Sequence, residues 1–179
     1  MSPPDLIPLN RSEHLYWAGE GHLGPINQPY VLRLSGAVDE ALVRQALREL
    51  TTAFPRLRAV IEPGPWLDRL RILPDDLAVD QLFEDAYRIE HGVDLDDLDA
   101  LQTWHSHRLN EPLSLERGLP WRARFLPHPS QPGLLFVVHH IVGDGRSMIQ
   151  LLCAILGRLN GQAISASPLD SPSMRAAVT

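Results

Sequence analysis

Hydrophobic residues recur at helical spacing in two long segments of the chain. Between Val38 and Phe54 an apolar residue stands at every fourth position, and charged residues fill most of the gaps. A second apolar stripe near the end of the chain comprises Met148, Leu151, Leu152, Ile155, Leu156 and Leu159. Both patterns predict amphipathic helices that bury one face and expose the other.

Alternating and continuous apolar runs predict the strands. Residues 28–36 and 119–127 alternate, and residues 56–62 and 66–73 predict a hairpin across the Pro-Gly-Pro sequence between them. Residues 134–138, LLFVV, are all apolar, which is typical of a central strand that is buried on both faces. Strands mixed with helices, some of them in hairpins, predict an α/β fold with a mixed sheet.

Two further helices have weaker patterns. Residues 10–17 predict a short helix after an irregular, proline-rich start. A helix over residues 96–109 would turn Leu98, Leu101 and Leu109 inward. The segment between the predicted hairpin and this helix shows no clear period, so we expect it to be less ordered.

Length and composition indicate one ordinary globular domain. The chain has 179 residues, of which 44% are hydrophobic and 21% charged, enough for a single core. The end of the chain is rich in serine, proline and alanine, a composition typical of linkers. We therefore expect one lobe over residues 1–164, followed by a linker or disordered tail over residues 165–179.

Charge and hydropathy exclude several classes of function. The net charge of −6 leaves no basic surface for phosphates, so nucleic acid is not an expected partner. No run approaches the roughly 20 apolar residues that a membrane-spanning helix needs, and the N-terminus lacks the pattern of a signal peptide. We expect a cytoplasmic protein without a membrane span.

Two adjacent histidines, His139 and His140, stand where the predicted central strand ends, and Gly143, Asp144 and Gly145 follow them. In α/β folds ligands bind at such strand ends. One interpretation is a pair of ordinary histidines that are satisfied by hydrogen bonds. A metal site is a second, but neighbouring side chains on a strand point to opposite faces, so we expect none. A general base is the third.

A neutral imidazole can remove the proton from an alcohol or amine as it attacks an acyl group. The sequence has no GxSxG elbow, and Cys153 lies in an apolar helical pattern where we expect a small buried side chain. The residues therefore favour direct acyl transfer without a covalent acyl-enzyme. Gly143 and Gly145 would let the backbone turn sharply, and the following helix N-terminus would partly stabilise an oxyanion.

The segment HHIVGDG, residues 139–145, resembles the HHxxxDG motif of the chloramphenicol-acetyltransferase-like superfamily, which includes nonribosomal peptide condensation domains. Four further segments resemble that superfamily in the same order: LNRSEHLYW, LRELTTAFPRLRAVI, LNEPLSLERGLPWRARFLP and DGRSMIQLL. The resemblance implies a mixed-sheet lobe of the chloramphenicol-acetyltransferase-like fold with flanking helices.

The resemblance also implies roles for individual residues. His140 would be the catalytic base and His139 a supporting residue, while Asp144 would be structural and pair with Arg58. Gly145 would give room for the acyl donor, a thioester on coenzyme A or on the phosphopantetheine arm of a carrier protein. The acceptor would be an amine or a hydroxyl, and no tightly bound cofactor is implied.

Most members of the superfamily have two similar lobes, and nothing here resembles the DFGWG motif of the second lobe. Three hypotheses stay open. The chain is a catalytic lobe that needs a second lobe, a one-lobe enzyme that self-associates as a trimer, or a non-catalytic lobe that binds a carrier protein or other partner. The sequence does not distinguish coenzyme A from carrier protein, nor ester or amide formation from epimerisation.

Overall fold

The computed structural model of the chain describes residues 6–93 and 95–165, apart from the side chains at positions 109 and 110. The strands are β1 (Leu6–Pro8), β2 (Asn27–Arg33), β3 (Ala59–Glu62), β4 (Arg69–Ile72), β5 (Tyr87–Ile89), β6 (Trp121–Leu126) and β7 (Gly133–His139). The helices are α1 (Arg11–Leu23), α2 (Glu40–Ala53), α3 (Leu77–Ala86), α4 (Leu98–Asn110) and α5 (Gly145–Leu159), with a 3₁₀ turn at Pro55–Arg58.

The strands form two sheets. The larger sheet has the order β2-β7-β6-β5, in which β5 runs parallel to β6 and the other pairs are antiparallel. The smaller sheet has the order β1-β4-β3 and is antiparallel throughout. The predicted α/β fold with a mixed sheet is confirmed.

Strand β7 is the central element of the larger sheet. It pairs with β2 along its whole length and with β6 on its other side, and all seven of its residues are buried. The continuous apolar run predicted this position, because a strand covered on both faces needs no polar alternation. Its last residue is His139, so the core of the lobe leads directly into the histidine segment.

The two strongly amphipathic helices form as predicted. Helix α2 buries Val43, Ala46, Leu47 and Leu50, and α5 buries Met148, Leu151 and Ile155. The two helices pack against each other, and Arg158 of α5 pairs with Glu49 of α2 at 2.6 Å. The buried face of α5 is narrower than the apolar stripe in its sequence, because Leu156 belongs to that stripe but is 37% exposed.

Several shorter elements differ from the prediction. Helix α1 extends to Leu23 and ends where Gly24 takes a φ of 83°. Residues 55–58 form a 3₁₀ turn rather than the start of the predicted hairpin, which begins only at Ala59. The segment expected to be less ordered contains α3 and β5, and α3 buries Val79 and Phe83 one turn apart.

Two predictions of burial are wrong. Leu98, expected to face inward, is 69% exposed, because α4 is held by polar contacts of Trp104 and Arg108 with Glu90. Cys153, expected in the core, is exposed on α5 since it lies outside the face that packs on α2.

Some predictions lie outside the description of the structure. The inward orientation of Leu109 concerns a side chain that is not described, and the predicted tail falls outside the described residues from position 166 onward. Of the helices in residues 6–93 and 95–165, none is both long and apolar enough to cross a membrane.

Candidate active site

The histidine segment is anchored by its backbone at the end of β7. The N–H of His139 donates to the carbonyl of Pro120 at 2.9 Å, and the N–H of His140 donates to the carbonyl of Ile26 at 3.0 Å. The chain then turns through Gly143 and enters α5 at Gly145. The backbone of both histidines is therefore fixed, that of His139 by the residue before β6 and that of His140 by the residue before β2.

His139 is fully buried and its tautomer follows from its contacts. Its Nδ1 accepts a hydrogen bond from the N–H of Ile141 at 3.1 Å, so the proton of the neutral ring lies on Nε2, which faces Glu20 Oε1 at 3.5 Å. Burial, with a smaller contribution from His140, lowers the pKa of His139 to about 4, and burial also raises the pKa of Glu20. Both shifts have the sign of desolvation rather than of an ion pair, so His139 is a neutral, structural ring.

The burial of His139 predicts that acid destabilises the lobe. The unfolded chain takes up this proton near pH 6.5, whereas the folded chain does so only near pH 4. The stabilisation is therefore complete above pH 6.5 and is lost as the pH falls toward 4, with an upper limit of about 3 kcal/mol.

Urea unfolding of wild type and His139→Asn between pH 4 and 7 measures this effect, since asparagine can still accept from Ile141 but does not titrate in this range. The free energy of unfolding of wild type should fall more steeply with acidification than that of the variant. Glu20 acts in the opposite direction, because burial favours its protonated form, and both proteins share that effect. Parallel pH profiles would show that folding does not lower the pKa of His139.

His140 is half-buried and its ring is held on one side. Its imidazole lies against the ring of Tyr16, with 4.4 Å between centroids and 33° between planes. Its Nδ1 is buried and has no hydrogen-bond partner among the residues that the structure describes. Because Nδ1 is enclosed, a substrate would meet the ring at Nε2.

Asp144 serves as the N-cap of α5. Its carboxylate accepts hydrogen bonds from the backbone N–H and the hydroxyl of Ser147, both at 2.9 Å, and these bonds hold the pKa of Asp144 below its usual value. The side chain is exposed and shapes the loop, in agreement with a structural role. Asp144 thus occupies the N–H of Ser147 in the first turn of α5, and the contribution of this helix end to oxyanion stabilisation stays a prediction.

The predicted pair of Arg58 with Asp144 does not form between these described residues. The guanidinium of Arg58 donates instead to the backbone carbonyls of Thr51, Thr52 and Leu73, at 3.0, 2.8 and 2.9 Å. Two of these carbonyls belong to the last turn of α2, so Arg58 satisfies acceptors that a helix end leaves open. Arg58, which the resemblance paired with Asp144 of the histidine loop, thus caps the C-terminal end of α2 instead.

Arg56, which the sequence did not single out, makes the connection to the histidine loop. It donates to Glu13 at 2.7 Å and to the backbone carbonyl of Ile141 at 3.1 Å. Glu13 is buried and also accepts from the N–H of Asn10 at 2.7 Å, which completes the capping box of α1. The spacing of Asn10 and Glu13 is a visible sequence signal for the cap. The ion pair between Glu13 and Arg56 joins residues that are 43 positions apart, so no local sequence pattern predicts it.

The two glycines of the motif have different roles. Neither Gly143 nor Gly145 has a positive φ. The turn expected at these two residues therefore does not need the left-handed backbone conformation that glycine allows. A Cβ at Gly143 would stand 2.6 Å from the Cβ of Ser147, whereas a Cβ at Gly145 would meet no atom within 4 Å. Gly143, whose carbonyl also accepts from Gln28 at 3.1 Å, is required by close packing, and Gly145 borders open space.

Alanine substitution should separate these roles. Gly143→Ala should lower the free energy of unfolding by about 1–3 kcal/mol, because the loop must move to relieve the clash with Ser147. Gly145→Ala should leave it unchanged or raise it by up to about 1 kcal/mol, because alanine favours the first turn of a helix. Thermal and urea unfolding of the matched pair measure both effects, and equal values would contradict the packing described for Gly143.

The sequence matches the condensation domain family over residues 21–171, which is most of the chain. The chain belongs to the condensation domain family. This membership confirms the predicted family, and the match extends from the last turn of α1 through β2 to α5, including the histidine segment. The condensation domain family catalyses acyl or peptidyl transfer between substrates carried on proteins.

Relatives of this condensation-domain chain are parts of large synthases. A dimodular nonribosomal peptide synthase of Bacillus subtilis (strain 168) is 29% identical over 178 residues, which cover 93% of this chain and 7% of the relative. The polyketide synthase PksN of the same organism is 24% identical over 82% of this chain and 2% of its own. The chain therefore spans only a small part of the curated relatives that it matches.

Solved structures show the same fold. The X-domain from teicoplanin biosynthesis superposes with a TM-score of 0.76 at 19% identity, covering 99% of this chain and 38% of that one. The first condensation domain of the calcium-dependent antibiotic synthetase, in complex with a substrate analogue, superposes with a TM-score of 0.68 at 18% identity, covering 90% and 40%. This condensation-domain lobe thus corresponds to about two fifths of each of those chains.

Proposed function

We propose that this condensation-domain lobe transfers an acyl or peptidyl group from a thioester to an amine or hydroxyl acceptor, with His140 as general base. The observation that carries the proposal is the placement of His140 at the exit of the central strand, held against Tyr16 with Nδ1 enclosed. Nε2 is then the position from which the ring can take up a proton.

The proposed step is a direct transfer. The acceptor nitrogen or oxygen attacks the thioester carbonyl carbon while its proton passes to Nε2 of His140. Collapse of the tetrahedral intermediate breaks the carbon–sulfur bond, and the leaving thiolate takes up the proton from the imidazolium of His140, which returns the ring to its neutral form. His139 supports the step as a neutral buried ring, and Asp144 supports it by fixing the start of α5.

A second lobe would complete the site. The solved relatives are much longer than this chain, which covers about 40% of a condensation domain in them. The half-buried His140 has protein on the side of Tyr16, and a second lobe would close the other side and exclude water. This arrangement favours the hypothesis of a catalytic lobe with a partner lobe over self-association into a trimer.

Two classes of thioester donor agree with the comparisons. The curated relatives are nonribosomal peptide and polyketide synthases, which favours a donor on the phosphopantetheine arm of a carrier protein. A starter condensation domain of rhizomide synthetase has been solved in complex with C8-CoA, which favours coenzyme A as a source for a starter acyl group. We place the carrier-bound donor first because the matched relatives are synthases.

The test combines mass and turnover. Light scattering gives the solution mass of this chain, and mass spectrometry follows transfer from acyl-carrier protein and acyl-CoA, with this chain alone and with the complete two-lobe protein. The proposal expects a monomer that is inactive alone and active with its second lobe. A stable trimer that turns over acyl-CoA would establish a one-lobe enzyme. A lobe that consumes no donor in either form, and that binds a carrier protein with an affinity that survives His140→Ala, would be a binding lobe.

A further inference from the structure

One face of α1 lies against the β7 exit, where it contacts His139 and His140 directly and Ile141 through Arg56. Glu13, Tyr16 and Glu20 are spaced by three and four residues, which places them on one side of a helix. Glu20 faces His139, and Tyr16 lies against His140. Glu13 accepts a hydrogen bond from Arg56, which also donates to the carbonyl of Ile141. A surface helix with few buried apolar residues is thus aligned in register with the histidine segment.

Glu20 supports both histidines through its carboxylate. The carboxylate interacts with the backbone of Ile26, which opposes the rise in the pKa of Glu20 that burial causes, and Oε1 faces Nε2 of His139 at 3.5 Å. The carbonyl of Ile26 in turn accepts from the N–H of His140 at 3.0 Å. A shift of Glu20 would therefore move the backbone on which His140 is mounted as well as the neighbouring ring.

Tyr16 acts on the ring of His140 itself. The two rings are 4.4 Å apart between centroids and tilted by 33°, which is within contact distance. The tyrosine ring occupies one face of the imidazole and limits rotation about its Cβ–Cγ bond. The contact therefore holds the imidazole in the orientation in which Nδ1 is enclosed.

We infer that Tyr16 and Glu20 are positioning residues for His140, and that the aromatic ring of Tyr16, rather than its hydroxyl, sets the orientation of the imidazole. This inference rests on the proposed function of His140. Neither residue touches the reacting atoms. Positioning of a reacting group within a fraction of an ångström is worth orders of magnitude in rate, so loss of either contact should appear in kcat.

The test compares ring removal with ring retention in the complete two-lobe protein. Tyr16→Leu should lower kcat by about 10–100-fold with little change in KM, and Tyr16→Phe should keep kcat within about two-fold of wild type. Glu20→Ala should lower kcat over the same range, and Glu20→Gln should restore part of it. Leu15→Ala, at a position of the same helix that is 68% exposed, is the matched control and should be unchanged.

Nuclear magnetic resonance of the imidazole groups gives a readout independent of turnover. Wild type should show nuclear Overhauser contacts between the rings of Tyr16 and His140, and this measurement needs no variant to fold. Tyr16→Leu should shift the ring protons of His140 downfield by removing the ring current, while Tyr16→Phe should not. Absence of the contact in wild type would overturn the inference.

The activities separate this inference from the proposed function. If His140→Ala is inactive while Tyr16→Leu and Glu20→Ala keep full kcat, the positioning role is overturned and the base remains. If His140→Ala keeps full activity, the proposed function fails and the inference fails with it. If Tyr16→Phe loses as much kcat as Tyr16→Leu, the hydroxyl rather than the ring acts, and the inference is wrong.

Discussion

Alanine in place of His140 should slow acyl transfer by about 10²–10⁴-fold, the usual contribution of a positioned general base. The substitution removes the ring nitrogen that would accept the proton and leaves the contacts that hold the loop in place. These contacts are mainly backbone bonds and the buried ring of His139, so the lobe should stay folded. Single-turnover transfer from an acyl-carrier thioester in the complete protein measures the loss.

The matched control for His140→Ala is His91→Ala, which removes an exposed histidine outside the histidine loop. It should retain the wild-type rate, and both variants should keep the melting temperature of wild type within a few degrees. A His140→Ala protein that is folded and transfers at the wild-type rate would eliminate this residue as base. A large fall in melting temperature would instead identify His140 as a packing residue.

Arg56→Ala should have the largest effect on stability, a loss of about 2–4 kcal/mol in the free energy of unfolding. The substitution leaves Glu13 buried without its cation, and an uncompensated buried charge is costly. The value lies below the upper range for such pairs because Arg56 is partly exposed and Glu13 keeps its bond to Asn10. Urea unfolding of this chain measures the change.

Double-mutant cycles distinguish the observed ion pair from the one that the family resemblance predicted. Arg56 and Glu13 should couple by about 1–3 kcal/mol, because they are in direct contact. Arg58 and Asp144 should couple by no more than about 0.5 kcal/mol, because each has its own separate partners. Strong coupling between Arg58 and Asp144 would show that the predicted pair exists in solution.

The sequence predicted best the elements whose hydrophobic pattern follows directly from which of their faces are buried. Helices α2 and α5 bury a single stripe, and β7 is covered on both faces, so period and burial agree. Helix α3 was not predicted, because its ten residues bury only Val79, Phe83 and Ala86, which is too short a stripe to show a clear period. The first part of helix α1 was predicted over residues 10–17, but its extension to Leu23 was not, because Gly19 and Gly21 disfavour a helix.

The site was predictable as far as its motif extends along the chain. The positions of the two histidines at the strand exit and the structural role of Asp144 follow from local pattern and resemblance. The partners that hold them come from α1 and the 3₁₀ turn, and those contacts depend on how distant segments meet. Arg56 and Arg58 illustrate this, since both are arginines in one short turn and only the backbone geometry decides which reaches Ile141.

The central place of β7 has a consequence for how the histidine segment opens to solvent. Amide protons of a strand paired on both sides exchange with solvent only when the whole lobe opens, whereas those of exposed ends exchange through local fraying. His140 follows that strand directly, and its own amide is held by Ile26. We therefore expect the amide of His140 to exchange as slowly as those of β7, so that the histidine segment opens only when the whole lobe unfolds.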